Sequence, residues 1–115
     1  MDNTKSSINE INTLHTTRNG TLAFGVYDGE NFEVLENSEV DMSRKCHSST
    51  MERQRQTALA NGDIVCIDGK CKLTVSVSFT SPRSAAMFVL GGSTNGWIEW
   101  KDKDGKTLNE LFRQK

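Results

Sequence analysis

The sequence predicts a single α+β domain: two β-hairpins and one further short strand in a mostly antiparallel sheet, packed with two or three helices. Three observations carry that expectation. A length of 115 residues with 35% hydrophobic residues supplies one modest core, burying roughly two thirds of the unfolded surface. Two turn signals, Asp28-Gly29-Glu30-Asn31 and Asp68-Gly69, each lie between segments that alternate apolar and polar residues, which is the pattern of a hairpin. Ser81-Pro82 and two hydroxyl-x-x-Glu boxes precede runs of good helix formers, which is the pattern of a helix start.

The elements follow in order. Residues 1–18 read as a flexible N-terminal arm, polar and without clear periodicity, with a short turn of helix around Ile8 to Leu14; residues 19–115 form the domain. Residues 21–28 alternate Leu22, Phe24 and Val26 on one face, and residues 31–35 return with Phe32 and Val34. Residues 38–48 are polar and read as a loop. Ser49-Thr50-Met51-Glu52 is a capping box opening a surface helix that ends at Asn61, with Gly62 at the left-handed position after it.

Residues 63–67 and 70–79 flank Asp68-Gly69. The second strand carries Cys71, Leu73, Val75, Val77 and Phe79 inward, with Ile64 and Cys66 on the same face. Ser81 caps a helix that begins at Pro82 and stops at Gly91-Gly92, and Ala85 and Ala86 let its backbone sit close to the sheet. Residues 96–101 read as a short strand, so Trp97 and Trp100 point to opposite faces, one in the core and the other a candidate for exposure. Residues 102–105 turn, and Thr107-Leu108-Asn109-Glu110 opens a terminal helix.

A net charge of −1 gives no overall field to draw in nucleic acid. The charges are segregated: Asp28, Glu30, Glu33, Glu36, Glu39 and Asp41 precede a segment with Arg44, Lys45, Arg53 and Arg55 against Glu52 alone. That pattern serves either two compensating solvated faces or a binding patch. No apolar run approaches a membrane span, and the polar start Met1-Asp2-Asn3-Thr4-Lys5 has no leader-like apolar region, so a cytoplasmic protein is expected. Three cysteines, Cys46, Cys66 and Cys71, leave one unpaired. Cys66 and Cys71 face each other across the hairpin within disulfide range, and in a reducing compartment they are expected as thiols.

The chemistry these residues offer is limited. His15 and His47 are the only imidazoles, the carboxylates lack an apolar pocket, and no phosphate loop, dinucleotide fingerprint or metalloprotease motif is present, so no catalytic residues and no cofactor are expected. Cys46, His47, Cys66 and Cys71 would make a Cys3His zinc set only if the loop folded over the hairpin, and free cysteines serve equally as small hydrophobes, so no metal is assigned. The richest stretch is residues 81–101. Ser81, Arg83 and Ser84 add donors to a helix N-terminus, which suits an anion, although a well-capped helix needs no ligand. An exposed Trp beside Lys101 and Lys103 would suit stacking or cation–π contact, although two Trp also serve to close a core.

Phe79-Thr80-Ser81-Pro82-Arg83-Ser84-Ala85-Ala86, then Val89-Leu90-Gly91, then Asn95-Gly96-Trp97, Trp100-Lys101 and Asp104-Gly105-Lys106-Thr107-Leu108 resemble a bacterial and phage family of domains of unknown function. That family is often found C-terminal to GIY-YIG nuclease-like domains. Residues 23–38 and the Arg55, Leu59 and Gly62 helix are similar to its first half, more weakly, so the resemblance spans about residues 22–111. The pattern also resembles the RAMA (restriction enzyme and adenine methylase associated) domain. Arg83 stands where the family has Ser, adding a phosphate donor, and Asn37 stands where it has Gly before Ser38.

The resemblance implies a non-catalytic accessory module that recognises DNA, including modified DNA, in a restriction or nuclease-like system. Phosphate would lie at Ser81, Arg83 and Ser84, with Arg44, Lys45 and Arg53 as auxiliary charges. Asn95, Trp97 or Trp100 would meet a base or a modified group, Lys101 would be a further nucleic-acid contact, and a nuclease or methylase would be the protein partner. The alternative expectation is a protein-interaction or structural module that docks on a partner enzyme.

Overall fold

The computed structural model describes residues 13–113. Residues 1–12, with most of the predicted arm and of the helical turn expected around Ile8, lie outside the described residues. In chain order the strands are β1 (Thr13–Thr16), β2 (Ala23–Tyr27), β3 (Phe32–Val34), β4 (Ile64–Ile67), β5 (Lys70–Leu73) and β6 (Val77–Phe79). The helices are α1 (Ser49–Asn61), α2 (Pro82–Leu90) and the single turn α3 (Gly96–Glu99), followed by a π-type turn, Asn109–Arg113. A four-stranded antiparallel sheet runs β1-β2-β3-β6, and β4-β5 form a separate hairpin, which makes the fold α+β.

β1 replaces the end of the expected arm. Its Thr13-Leu14-His15-Thr16 sequence holds two β-branched threonines but is too short and polar to be read as a strand on its own. It is extended because β2 pairs with one edge, while His15 and Lys101 exchange backbone bonds of 2.8 and 2.9 Å on the other. The first hairpin turns at Asp28, whose Oδ1 accepts the amides of Glu30 (2.8 Å) and Asn31 (2.7 Å). Those two donors, Asn31 foremost, hold the Asp28 carboxyl below the ordinary aspartate range.

In β2 the face that meets the core is the one with small residues. Ala23 and Gly25 are buried, whereas Leu22 is exposed and Phe24 and Val26 are half-buried. The reason is Phe32: a Cβ on Gly25 would sit 2.1 Å from its ring. With that space kept open, Phe32 is fully enclosed and packs on Trp100 at a centroid distance of 4.4 Å. Enclosing a ring of that size contributes about 2–3 kcal/mol, and the aromatic pair adds about 1 kcal/mol.

The long strand expected over residues 70–79 is broken in two. Leu73 and Phe79 are buried as expected, but Val75 is exposed. The end of α1 captures Thr74, whose amide donates to Asp63 O and whose hydroxyl donates to Gly62 O, both at 2.8 Å. The chain bends there and crosses from the hairpin to the sheet. Cys66, expected inward, is exposed, and a disulfide joins it to Cys71 with Cα atoms 3.9 Å apart. The expectation of two thiols is therefore corrected; the pair lies directly opposed across the hairpin, which brings the two sulfurs together.

Residues 37–40 tie hairpin to sheet. Asn37 N and Val40 N donate to Leu73 O and Cys71 O on one side, and Glu39 N donates to Leu22 O on the other. Asn37 supplies the left-handed conformation (φ 74°) that a glycine would otherwise provide, one of the few non-glycine residues that tolerate it. Ser38, fully buried, both donates to Phe24 O (3.1 Å) and accepts from Phe24 N (2.9 Å).

α2 is the central element: seven of its nine residues, from Pro82 to Leu90, are buried. Ala85 and Ala86 are fully enclosed, as a close approach to the sheet requires. α1 is capped by Ser48, one residue before the expected box, with its hydroxyl accepting from Met51 N, and it ends at Gly62 with φ 84°. The terminal box forms as expected: Glu110 accepts from Thr107 N (2.8 Å) and donates its own amide to Thr107 Oγ1 (3.2 Å).

Candidate nucleic-acid interface

The N-terminal end of α2 is built from Ser81 in extended conformation. Its hydroxyl accepts from Ser84 N and donates to Ser84 Oγ, each at 3.1 Å. Pro82 has no N–H to offer, and Ala85 N donates to Ser81 O at 3.2 Å. Most first-turn donors are therefore used within the helix. The Arg83 amide remains, and the Arg83 side chain is exposed. The helix dipole adds a partial positive charge at this end.

Against this end lies α3. Asn95 caps it, its Oδ1 accepting from Trp97 N at 3.0 Å, and Glu99 N and Trp100 N return to Asn95 O and Gly96 O. The segment is a helical turn, not the expected strand. Two tryptophans three residues apart behind an Asn cap match helical spacing, which a period-two reading misassigns. Gly96 makes the junction: a Cβ there would stand 2.2 Å from Pro82 O and 2.5 Å from Arg83 N, so only glycine lets the two helix starts meet.

Within that turn the tryptophans part. Trp100 is fully buried, its Nε1 donating to Pro82 O at 3.1 Å, so it is a core residue rather than a base contact. Trp97 is half-buried, edge-on to Tyr27 at 5.6 Å. Asn95 is exposed and Lys101 half-buried. Glu99 is buried and paired with the Arg18 guanidinium, which removes a negative charge from the junction. Ser81, Arg83, Ser84, Asn95 and Trp97 are thus brought to one place, whereas Lys101 pairs through its backbone with His15 of β1 and turns its ammonium to Glu99 O at 3.5 Å.

Arg44, Lys45 and Arg53 are not. Arg44 and Lys45 lie at the opposite end of α2, about 13 Å away along nine residues of helix. Lys45 O accepts Gly92 N (2.9 Å), His47 N donates to Gly92 O (3.1 Å), and Arg44 O lies where a Cβ on Gly91 would be, 2.1 Å away. Arg53 is exposed on α1.

Sequence reasoning missed the residue that organises that end. Arg55, fully buried in a helix expected to lie on the surface, donates from Nη1 to Arg44 O (2.7 Å), to Glu52 Oε1 (3.2 Å) and to Cys46 Sγ (3.3 Å), and from Nη2 to Asp41 O. A lone arginine on a thin apolar stripe gave little sign of burial; only its place in the Arg55, Leu59 and Gly62 pattern marked it. Burial pushes the Cys46 thiol up, so it stays protonated and donates to Met87 O at 3.3 Å. Burial also pushes the Glu52 carboxyl up. The Cys46 amide, Gln56 and Arg55 together outweigh that and hold it below the ordinary glutamate range.

With Cys66 and Cys71 bonded to each other and Cys46 enclosed beside Arg55, the Cys3His zinc set does not assemble. Among the described residues no group of three or more His, Cys, Asp or Glu could hold a metal ion, and no helix is long and apolar enough to cross a membrane. No curated protein and no solved structure matches the chain significantly. A family model does match, over residues 14–112, which takes in both sheets, α1 to α3 and the junction between α2 and α3. The chain belongs to the family described as Domain of unknown function (DUF4357).

Proposed function

We propose that the chain is a non-catalytic DNA-recognition module whose reading surface is the junction of α2 and α3. The observation that carries this reading is the contact of Gly96 with Pro82 and Arg83, which gathers an exposed guanidinium, a capped helix start, an exposed Asn and a half-buried Trp. In this reading Arg83 and Lys101 meet phosphate, Asn95 offers its side-chain amide nitrogen to a base edge, and Trp97 offers an aromatic face. Trp100 is left out as a core residue, and Arg44, Lys45 and Arg53 are left out as remote. The resemblance to modules of restriction and nuclease-like systems supports modified DNA as target and a nuclease or methylase as partner, by analogy of fold family alone.

The test is a titration of isotope-labelled protein with short duplexes, one plain and one carrying methylated adenine, at about 50 mM salt. Amide shifts should cluster at residues 81–84 and 95–101 and be larger with the modified duplex. With two phosphates neutralised, log K should fall with log[salt] at a slope of about −1.8. An absence of shifts with both duplexes contradicts the proposal.

A further inference from the structure

The β4-β5 hairpin presents a second surface. The pairing register places Cys66 opposite Cys71 and Ile64 opposite Leu73. Cys71 O and Leu73 N and O are bonded outward to residues 37–40. In an antiparallel pair such residues alternate between bonding each other and pointing away, so Cys66 and Ile64 direct their backbone N–H and C=O to the far side of β4. Ile64 is buried, whereas Cys66 is exposed, and among the described residues no backbone or side-chain partner meets its edge. Exposed strand edges of this kind are normally blunted by charge, proline or cover.

β4 instead carries Val65 and Ile67, two of the larger exposed apolar side chains, at 41% and 67% exposure. They share a face with Lys72 and Lys70, their partners on β5. That face borders a cavity of about 610 Å³ that Asn37, Glu39 and Thr74 also line. Glu39 pairs with Lys70 at 3.6 Å and leaves the Lys72 ammonium without an ion pair among the described residues. An extended backbone satisfies an unpaired strand edge, and on the face shared by Val65, Ile67 and Lys72 such a strand would meet the aliphatic pair with apolar side chains and the lysine with an acidic one, both at every-second positions.

We propose that the outer edge of β4 accepts an extended acidic peptide segment of a protein partner by strand addition, seated on Val65 and Ile67 and drawn by Lys72. The Cys66–Cys71 disulfide holds the register that aims the Cys66 backbone at the incoming strand.

Two synthetic peptides test this, each with Thr at every second position and the positions between them filled in turn by Val and a charged residue, Glu in one and Lys in the other, titrated against labelled protein. The acidic peptide should bind at least tenfold more tightly and slow hydrogen exchange of the Cys66 amide. Lys72→Glu should reverse the preference, and Ile67→Asp should weaken the acidic peptide at least tenfold; both positions are exposed, so the fold tolerates them. Equal affinity for the two peptides, or an unprotected Cys66 amide, overturns the proposal. So does concentration-dependent self-association through β4, or the same amide shifts with duplex DNA in place of peptide.

Discussion

The two ends of α2 differ in how they are finished, and the difference separates structure from candidate function. At the C-terminal end the loop of residues 41–47 is tied to Val89 and Gly92 by backbone bonds, and the buried Arg55 pins that loop from the other side. Basic residues there are used through their carbonyls: Arg44 O and Lys45 O are hydrogen-bonded. At the N-terminal end the caps are satisfied locally, and the basic residue, Arg83, keeps its side chain exposed. Positive charge in the sequence is equal evidence for binding at both ends, and Lys45 is exposed like Arg83; what differs is that the N-terminal end also gathers Asn95 and Trp97 through Gly96.

That comparison can be broken by substitution, most severely at the fastened end. Gly91→Ala places a Cβ 2.1 Å from Arg44 O at φ 74°. The strain and the displaced loop should together cost about 3 kcal/mol or more, read as a drop in the urea midpoint. Arg55→Met keeps the volume but strips the loop of its donors and leaves two carbonyls, Arg44 O and Asp41 O, without this partner. A loss of about 3 kcal/mol is expected, with faster hydrogen exchange over residues 41–47 as the local readout.

At the open end the effects are smaller. Ser81→Ala removes one cap and should destabilise by about 1 kcal/mol. The smallest effect is the pH dependence of the fastening. The Glu52 carboxyl is held below its ordinary value of 4.5, so it binds a proton more readily in the unfolded chain. Its contribution is complete above that value and is lost as pH falls through the lower, folded one. An acid titration of stability should therefore fall less steeply below about pH 4.5 in Glu52→Gln than in the parent, and equal slopes would remove Glu52 from the account.

What was legible in the sequence is what short-range chemistry decides. The Asp28 turn, the Asp68-Gly69 hairpin, Gly62 after α1, the Ser81-Pro82 start and the Thr107 to Glu110 box are all choices a few neighbouring residues make alone. The rest depends on distant partners. Thr13–Thr16 is a strand because β2 and Lys101 flank it, and residues 70–79 break because Thr74 bonds to the end of α1. Ala23 and Gly25 face inward because Phe32 needs the room. The candidate site was half legible. Ser81, Arg83, Ser84, Asn95 and Trp97 converge, but only Gly96 reveals how, since a side chain there would stand where Pro82 passes.

The most direct test of the central distinction is a pair of charge reversals compared in the same duplex titration at about 50 mM salt. Arg83→Glu should lower DNA affinity at least tenfold, while Lys45→Glu, equally exposed but on the fastened end, should leave it within about twofold. The opposite ranking, or equal losses from both, would contradict the assignment of the reading surface to the open end of α2.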